Sequence, residues 1–71
     1  MTRRFEFVGG SSAKFWEIRV AGSDVSVSYG RLGASGQKQT KLFTDPAAAQ
    51  RHAAQLISAK ISKGYCETAV C

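Results

Sequence analysis

Between Lys14 and Val20 the chain alternates: Trp16, Ile18 and Val20 fall on one side, and Phe15, Glu17 and Arg19 on the other. A period of two marks a β-strand with one face buried. The same period predicts strands over Arg3 to Val8, where Phe5 and Phe7 share a face, and over Val25 to Tyr29. Gly9-Gly10-Ser11-Ser12 and Ala21-Gly22-Ser23-Asp24 separate these runs with residues that turns favour. Gly30 to Gly36 carries three glycines in seven residues and reads as a loop. Gln37 to Phe43 is a fourth strand, whose polar residues and two lysines suit an exposed face. After Phe43 the period changes. Residues 45–63 are rich in Ala and contain no Gly. Asp45 is placed to cap a helix, and Pro46 sits at its first position, where a missing N–H costs nothing. Ala49, Ala53, Leu56, Ile57 and Ile61 lie on one side of the helical wheel, with Arg51, Gln55, Ser58 and Ser62 opposite. Lys60 and Lys63 suit the C-terminal end of the dipole, and Gly64 is a natural stop. Tyr65 to Thr68 forms a short closing strand or an extended tail.

Strands followed by a helix make an α+β protein. The expected architecture is a single small domain over residues 1–71. A four-stranded antiparallel sheet within residues 3–43 carries one helix, over about 46–62, across one face, and a short C-terminal tail follows. Trp16 alternates with Ile18 and Val20 and is expected in the core. Phe15, on the other face, is a candidate for an exposed apolar patch that a protein partner would cover. Alternation also places Tyr29 with Val25 and Val27. Either those valines are core and Tyr29 is drawn in with them unless the strand bulges before Gly30, or Ser26 and Ser28 lie beneath the helix and the Val/Tyr face is open. The pattern does not choose.

Size and charge narrow the function. The chain has 71 residues, 44 % of them hydrophobic, which is ordinary for a folded domain. A chain this short buries only about 60 % of its unfolded surface, enough for one small core and little support for a catalytic cleft. His52 has Ala48, Ala49 and Leu56 at helical spacing and no carboxylate to orient it, so it reads as a boundary residue. The serines lack a Gly-x-Ser-x-Gly elbow, and the glycines of 30–36 fit neither a P-loop nor a dinucleotide fingerprint. We therefore expect no enzyme, no catalytic residues, no cofactor, no metal and no small-molecule substrate. Cys66 and Cys71 are too few for a disulfide framework, and neither is expected to have a chemical role. No apolar run approaches the roughly 18 residues of a membrane span. The start, Met1-Thr2-Arg3-Arg4-Phe5-Glu6, has no apolar stretch behind its arginines, so a cytoplasmic location without membrane contact is expected. Ten Lys/Arg against five Asp/Glu leave a net charge of +5. Such an excess on a small body attracts polyanions. The basic residues are spread along the chain, so folding must assemble any basic surface.

The remaining signal is Tyr29-Gly30-Arg31-Leu32-Gly33 followed by Gly36-Gln37. An aromatic ring stacks on a base or sugar, an arginine fork holds phosphate, and a glycine between them lets backbone approach a ligand. The same residues also suit a plain hairpin turn, with a solvated arginine.

In order and spacing nearly the whole chain resembles the WGR domain, named for a Trp-Gly-Arg motif. Phe5-Glu6-Phe7 with its Gly/Ser turn resembles the opening strand, and Lys14-Phe15-Trp16-Glu17-Ile18 the family's Lys-Phe-aromatic strand. Tyr29-Gly30-Arg31-Leu32-Gly33 with Gly36-Gln37 resembles the name motif, and Phe43, the Ala-rich helix and Lys60-x-x-Lys63-Gly64-Tyr65 the C-terminal half. WGR domains occur in DNA-damage-dependent poly(ADP-ribose) polymerases and in bacterial proteins, some related to molybdate-metabolism regulators. The resemblance implies a small antiparallel sheet crossed by one helix. It also implies contact with DNA near a strand break, the motif's Trp packing on a terminal nucleotide and its Arg holding the backbone. Tyr29 stands in place of that Trp; it keeps a stacking face, smaller and with a hydroxyl. The function so implied is low-specificity binding to nucleic acid, DNA first and strand ends or nicks among its forms, in the bacterial cytosol or nucleoid. The expected binding residues are Tyr29, Gly30, Arg31, Gln37, Lys38 and Gln39. The alternative is a protein-interaction adaptor that docks on a separately encoded enzyme or regulator.

Overall fold

The computed structural model describes residues 2–68. Its elements run β1 (Thr2–Gly9), β2 (Ser12–Ala21), β3 (Asp24–Arg31), β4 (Gln37–Leu42), α1 (Pro46–Ser62) and β5 (Cys66–Glu67). The antiparallel sheet has the order β4-β3-β2-β1-β5. This is the expected α+β fold of four main strands and one helix, extended by β5, one of the two forms open to the segment after Gly64.

Register decides which residues share a face. Phe5 pairs with Trp16, Trp16 with Tyr29 and Tyr29 with Gln37; one step along, Ile18 pairs with Val27 and Val27 with Gln39. Paired residues point the same way, so these side chains share one face. The helix covers part of it. Phe5, Trp16, Ile18, Val20 and Val25 form the core with Ala49, Ala53 and Ile57. The two alanines keep the helix close to the strands, and the aromatic rings fill the rest; Phe5 and Trp16 meet at a ring-centroid distance of 5.7 Å. Leu56 packs on the margin of this core. Ile61, expected on the buried stripe, is instead 53 % exposed. Each four-residue step overshoots a full turn by about 40°, so from Ala49 to Ile61 the stripe drifts about 120° away from the sheet.

Both helix ends are built as their residues suggest. Asp45 is extended at φ −151° and ψ 162°, and its Oδ1 accepts the Ala48 N–H at 2.8 Å. At the far end the Gly64 N–H donates to the Ile61 carbonyl and the Tyr65 N–H to that of Lys60, both at 3.0 Å. This double bond pattern needs a left-handed residue, and Gly64 supplies it at φ +100°. The reversal aims Tyr65 back at the sheet, where its ring meets that of Phe7 at 5.6 Å.

β5 is tied to β1 by side chains as well as backbone. The Arg3 guanidinium donates to both oxygens of Glu67, Nε to Oε2 at 2.8 Å and Nη2 to Oε1 at 2.7 Å. These bonds, helped by the positive charge itself, hold the Glu67 carboxyl below its usual titration range. A lowered folded value means that the pair's contribution is complete above the ordinary carboxylate value, about 4.3, and is lost as pH falls through the lower one. Glu67→Gln is therefore expected to flatten the acid limb of a stability-against-pH curve. An identical acid limb in wild type and variant would remove this role. Cys66, expected to have no chemical role, is disulfide-bonded; residue count and spacing do not tell which thiols folding brings together. Cys71 lies outside the described residues. No helix among the described residues is long and apolar enough to cross a membrane.

Candidate nucleic-acid interface

β3 settles the position of Tyr29. Its pairing with β2 is regular from Asp24 to Arg31, with no bulge. Val25 is core, at 2 % exposure, and burial falls along the strand to Val27 and Tyr29, which are half-buried. The valines therefore face the helix, and Tyr29 shares their face at the flank of the core. Its hydroxyl donates to Gln37 Oε1 on β4 at 3.2 Å. The phenol is thus pinned at one end, with part of the ring left accessible.

Where the helix stops covering the sheet, a groove of about 970 Å³ opens between them. Tyr29 and Arg31 of β3 and Gln39 and Lys41 of β4 line the strand side; His52, Leu56 and Lys60 line the helix side. Lys14 and Tyr65 also line it. Four cations thus face one groove, and no carboxylate is among the described residues that line it. The placement of the acids explains this. Glu67 is engaged by Arg3, Glu6 and Glu17 by Arg4, and Asp45 caps the helix. The glutamates neutralise the arginines of β1, and the groove keeps its charge. His52 takes the boundary position expected of it, its ring tilted against that of Phe43 at a centroid distance of 4.9 Å.

The six residues expected to bind are not all on one face. Tyr29, Arg31, Gln37 and Gln39 share the groove face. Lys38 pairs with Ser28 and points to the other side of the edge strand. Gly30 pairs with Phe15, off the face that Tyr29 and Arg31 share, and reaches the groove lining through its backbone alone. The close approach that Gly30 permits is made by the chain itself: a Cβ there would lie 2.8 Å from the Gly36 Cα. The loop after Arg31 folds back so that Gly36 lies against Phe15. Phe15 is 5 % exposed, roofed by this loop and by the Arg4 guanidinium 4.6 Å from its ring centre. The exposed Phe15 patch expected for a protein partner is therefore absent, because a fold-back remote in sequence covers the ring.

A model of the WGR domain matches residues 1–70. The chain belongs to the WGR family. It is 40 % identical over 67 residues to YfeS and 39 % identical over 67 residues to YehF, both from Escherichia coli K12. Each alignment covers 94 % of this chain, but only 28 % of YfeS and 24 % of YehF. A crystal structure of a Bacteroides fragilis protein superposes with a TM-score of 0.93 and 48 % identity, covering 96 % of this chain and 19 % of that one. The chain thus spans about a quarter or less of the length of these relatives, and a WGR module is what it shares with them.

Tyr29-Gly30-Arg31, the residues that resemble the WGR name motif, are placed differently from one another in the fold. Tyr29 and Arg31 present side chains to the groove. Gly30 makes room for the loop that follows. Lys14, Lys41, Lys60 and Tyr65 were not singled out as site residues by sequence. The signal for two of them was present at the helix end: Gly64 turns the chain so that Tyr65 meets Lys60, and their ring-to-ammonium distance is 5.2 Å.

Proposed function

We propose that this WGR module binds nucleic acid, DNA foremost, by laying the sugar-phosphate backbone in the groove between α1 and the β3–β4 end of the sheet. Lys14, Arg31, Lys41 and Lys60 converge there with no carboxylate among them, and this observation supports the reading most strongly. Phosphates are present in every sequence, so contacts of this kind carry affinity without base specificity. Tyr29 supplies the stacking face for one base or sugar, and its bond to Gln37 reduces the entropy lost on stacking. Strand ends and nicks suit such a ring, since a terminal nucleotide exposes a face that internal nucleotides keep stacked.

Three variants test the site. Tyr29→Ala is expected to weaken binding by about 1–3 kcal/mol, the usual worth of a ring platform. Tyr29→Phe keeps the ring and should bind nearly as wild type. Arg31→Ala should weaken binding to all sequences alike, with little change in thermal stability, because its side chain is exposed. Fluorescence anisotropy on duplex, nicked and single-stranded DNA, with circular dichroism as the check on folding, reads all three. Unchanged affinity in both Tyr29→Ala and Arg31→Ala would remove this groove as the site.

A further inference from the structure

Two ammonium groups in the groove are positioned by rings instead of by carboxylates. Lys60 Nζ lies 5.6 Å from the centre of Trp16 and 5.2 Å from that of Tyr65. Lys14 Nζ lies 5.9 Å from the centre of Phe7, which packs on Tyr65. A carboxylate would fix a lysine and cancel its charge. A ring fixes it and leaves both the charge and the N–H donors for another partner.

Lys14 also pairs in register with Arg31 across β2 and β3. Like charges directly opposite each other on a sheet are unfavourable by themselves. Arg31, Lys14 and Lys60 therefore form a row from three elements: β3, β2 and α1. Burial, then Lys63 just past the end of α1 and Lys14 on β2, holds the Lys60 ammonium below the usual lysine value. Arg31, Lys41 and His52 line the same groove and add no negative charge. An anion seated over the row would relieve this repulsion.

We propose that Lys60 and Lys14 form a second anion subsite, which takes a phosphodiester of the same strand whose neighbouring phosphate Arg31 holds. The proposal rests on the nucleic-acid reading above and gives the bound strand a direction, across the groove from β3 toward the C-terminal end of α1. It also makes binding proton-linked. A phosphate beside Lys60 raises its lowered value, so the complex takes up a proton at alkaline pH. Affinity then falls as pH rises through the free protein's Lys60 titration. An arginine in its place would stay charged.

The test compares wild type, Lys60→Met, Lys60→Arg and Arg51→Met by anisotropy on one labelled nicked duplex. Arg51 lies on the exposed side of α1, outside the groove. Lys60→Met keeps an apolar stem beside the rings and is expected to lower the salt slope by about one unit. Its deficit relative to wild type should then be roughly 3.5-fold larger at about 50 mM salt than at about 200 mM. Lys60→Arg should match wild type near pH 7 and lose the fall in affinity that wild type shows as pH rises toward the ordinary lysine value. Arg51→Met should match wild type throughout. Wild-type binding with an unaltered slope in Lys60→Met, or an unaltered pH profile in Lys60→Arg, overturns the subsite alone. Absence of wild-type binding at low salt overturns the nucleic-acid reading and the subsite with it. Should Lys60→Met fail to fold, the pH profile of Lys60→Arg decides.

Discussion

Gly36→Ala is expected to destabilise the protein by about 2–5 kcal/mol, combining the cost of a left-handed side-chain residue with that of overpacking. Gly36 has φ +73°, and a Cβ there would sit 2.3 Å from the Tyr29 carbonyl oxygen and 2.8 Å from Phe15 Cζ. Neither neighbour moves cheaply. The carbonyl belongs to β3, paired on both sides by β2 and β4, and Phe15 is buried. A domain of this length has roughly 4–10 kcal/mol of stability in all, so one methyl group removes a large share of it. Gly33→Ala is the informative control: φ there is +91°, but a Cβ would meet nothing within 4 Å. It incurs the backbone cost without the collision. Urea unfolding of both variants separates the two contributions. Equal losses at Gly33 and Gly36 would show that the loop does not press on Phe15 as described.

Ala53→Asp is expected to leave the chain largely unfolded at room temperature. Ala53 is 2 % exposed and faces the sheet. No basic side chain belongs to the core cluster around it. An unpaired carboxylate in such a place costs several kcal/mol even after the protein relaxes, about as much as the whole domain has to lose. The neighbouring Ala54 is exposed, and Ala54→Asp should retain most of the wild-type stability. A native far-ultraviolet spectrum and unchanged melting temperature for Ala53→Asp would mean that the helix packs through another face.

What the sequence displayed, and what it did not, follows from the range of the interactions concerned. Strand and helix positions rest on periodicity and caps, which are local, and Asp45, Pro46 and Gly64 mark the helix ends directly. Alternation also put Tyr29 with the valines. It left the face undecided because coverage depends on where a helix remote in sequence lies on the sheet. Phe15 was misplaced for a related reason. Nothing near it in the chain announces that Gly36 will lie against it, although Gly30 and Gly36 together are what the fold-back requires. The candidate site was legible at Tyr29 and Arg31, which stand side by side across Gly30. Lys14, Lys41 and Lys60 come from three different elements, and only register and the Gly64 reversal bring them to one groove. The disposition of the acids was equally hidden. Five carboxylates against ten cations give a net charge, but not the fact that three of the glutamates are engaged by Arg3 and Arg4.

The groove's unneutralised cations are expected to bind the phosphate backbone, and a salt titration of wild-type binding to nicked duplex DNA measures how many of them do so. Roughly four phosphate contacts, one for each of Lys14, Arg31, Lys41 and Lys60, give a log K against log salt slope near −3.6 on duplex DNA and about −2.8 on a single strand. Affinity on the duplex should then fall by roughly 150-fold between about 50 and 200 mM salt. Measurable affinity that does not change with salt would contradict the electrostatic mechanism. No binding to duplex, nicked or single-stranded DNA at low salt would contradict the claim altogether and leave a protein partner as the occupant to seek.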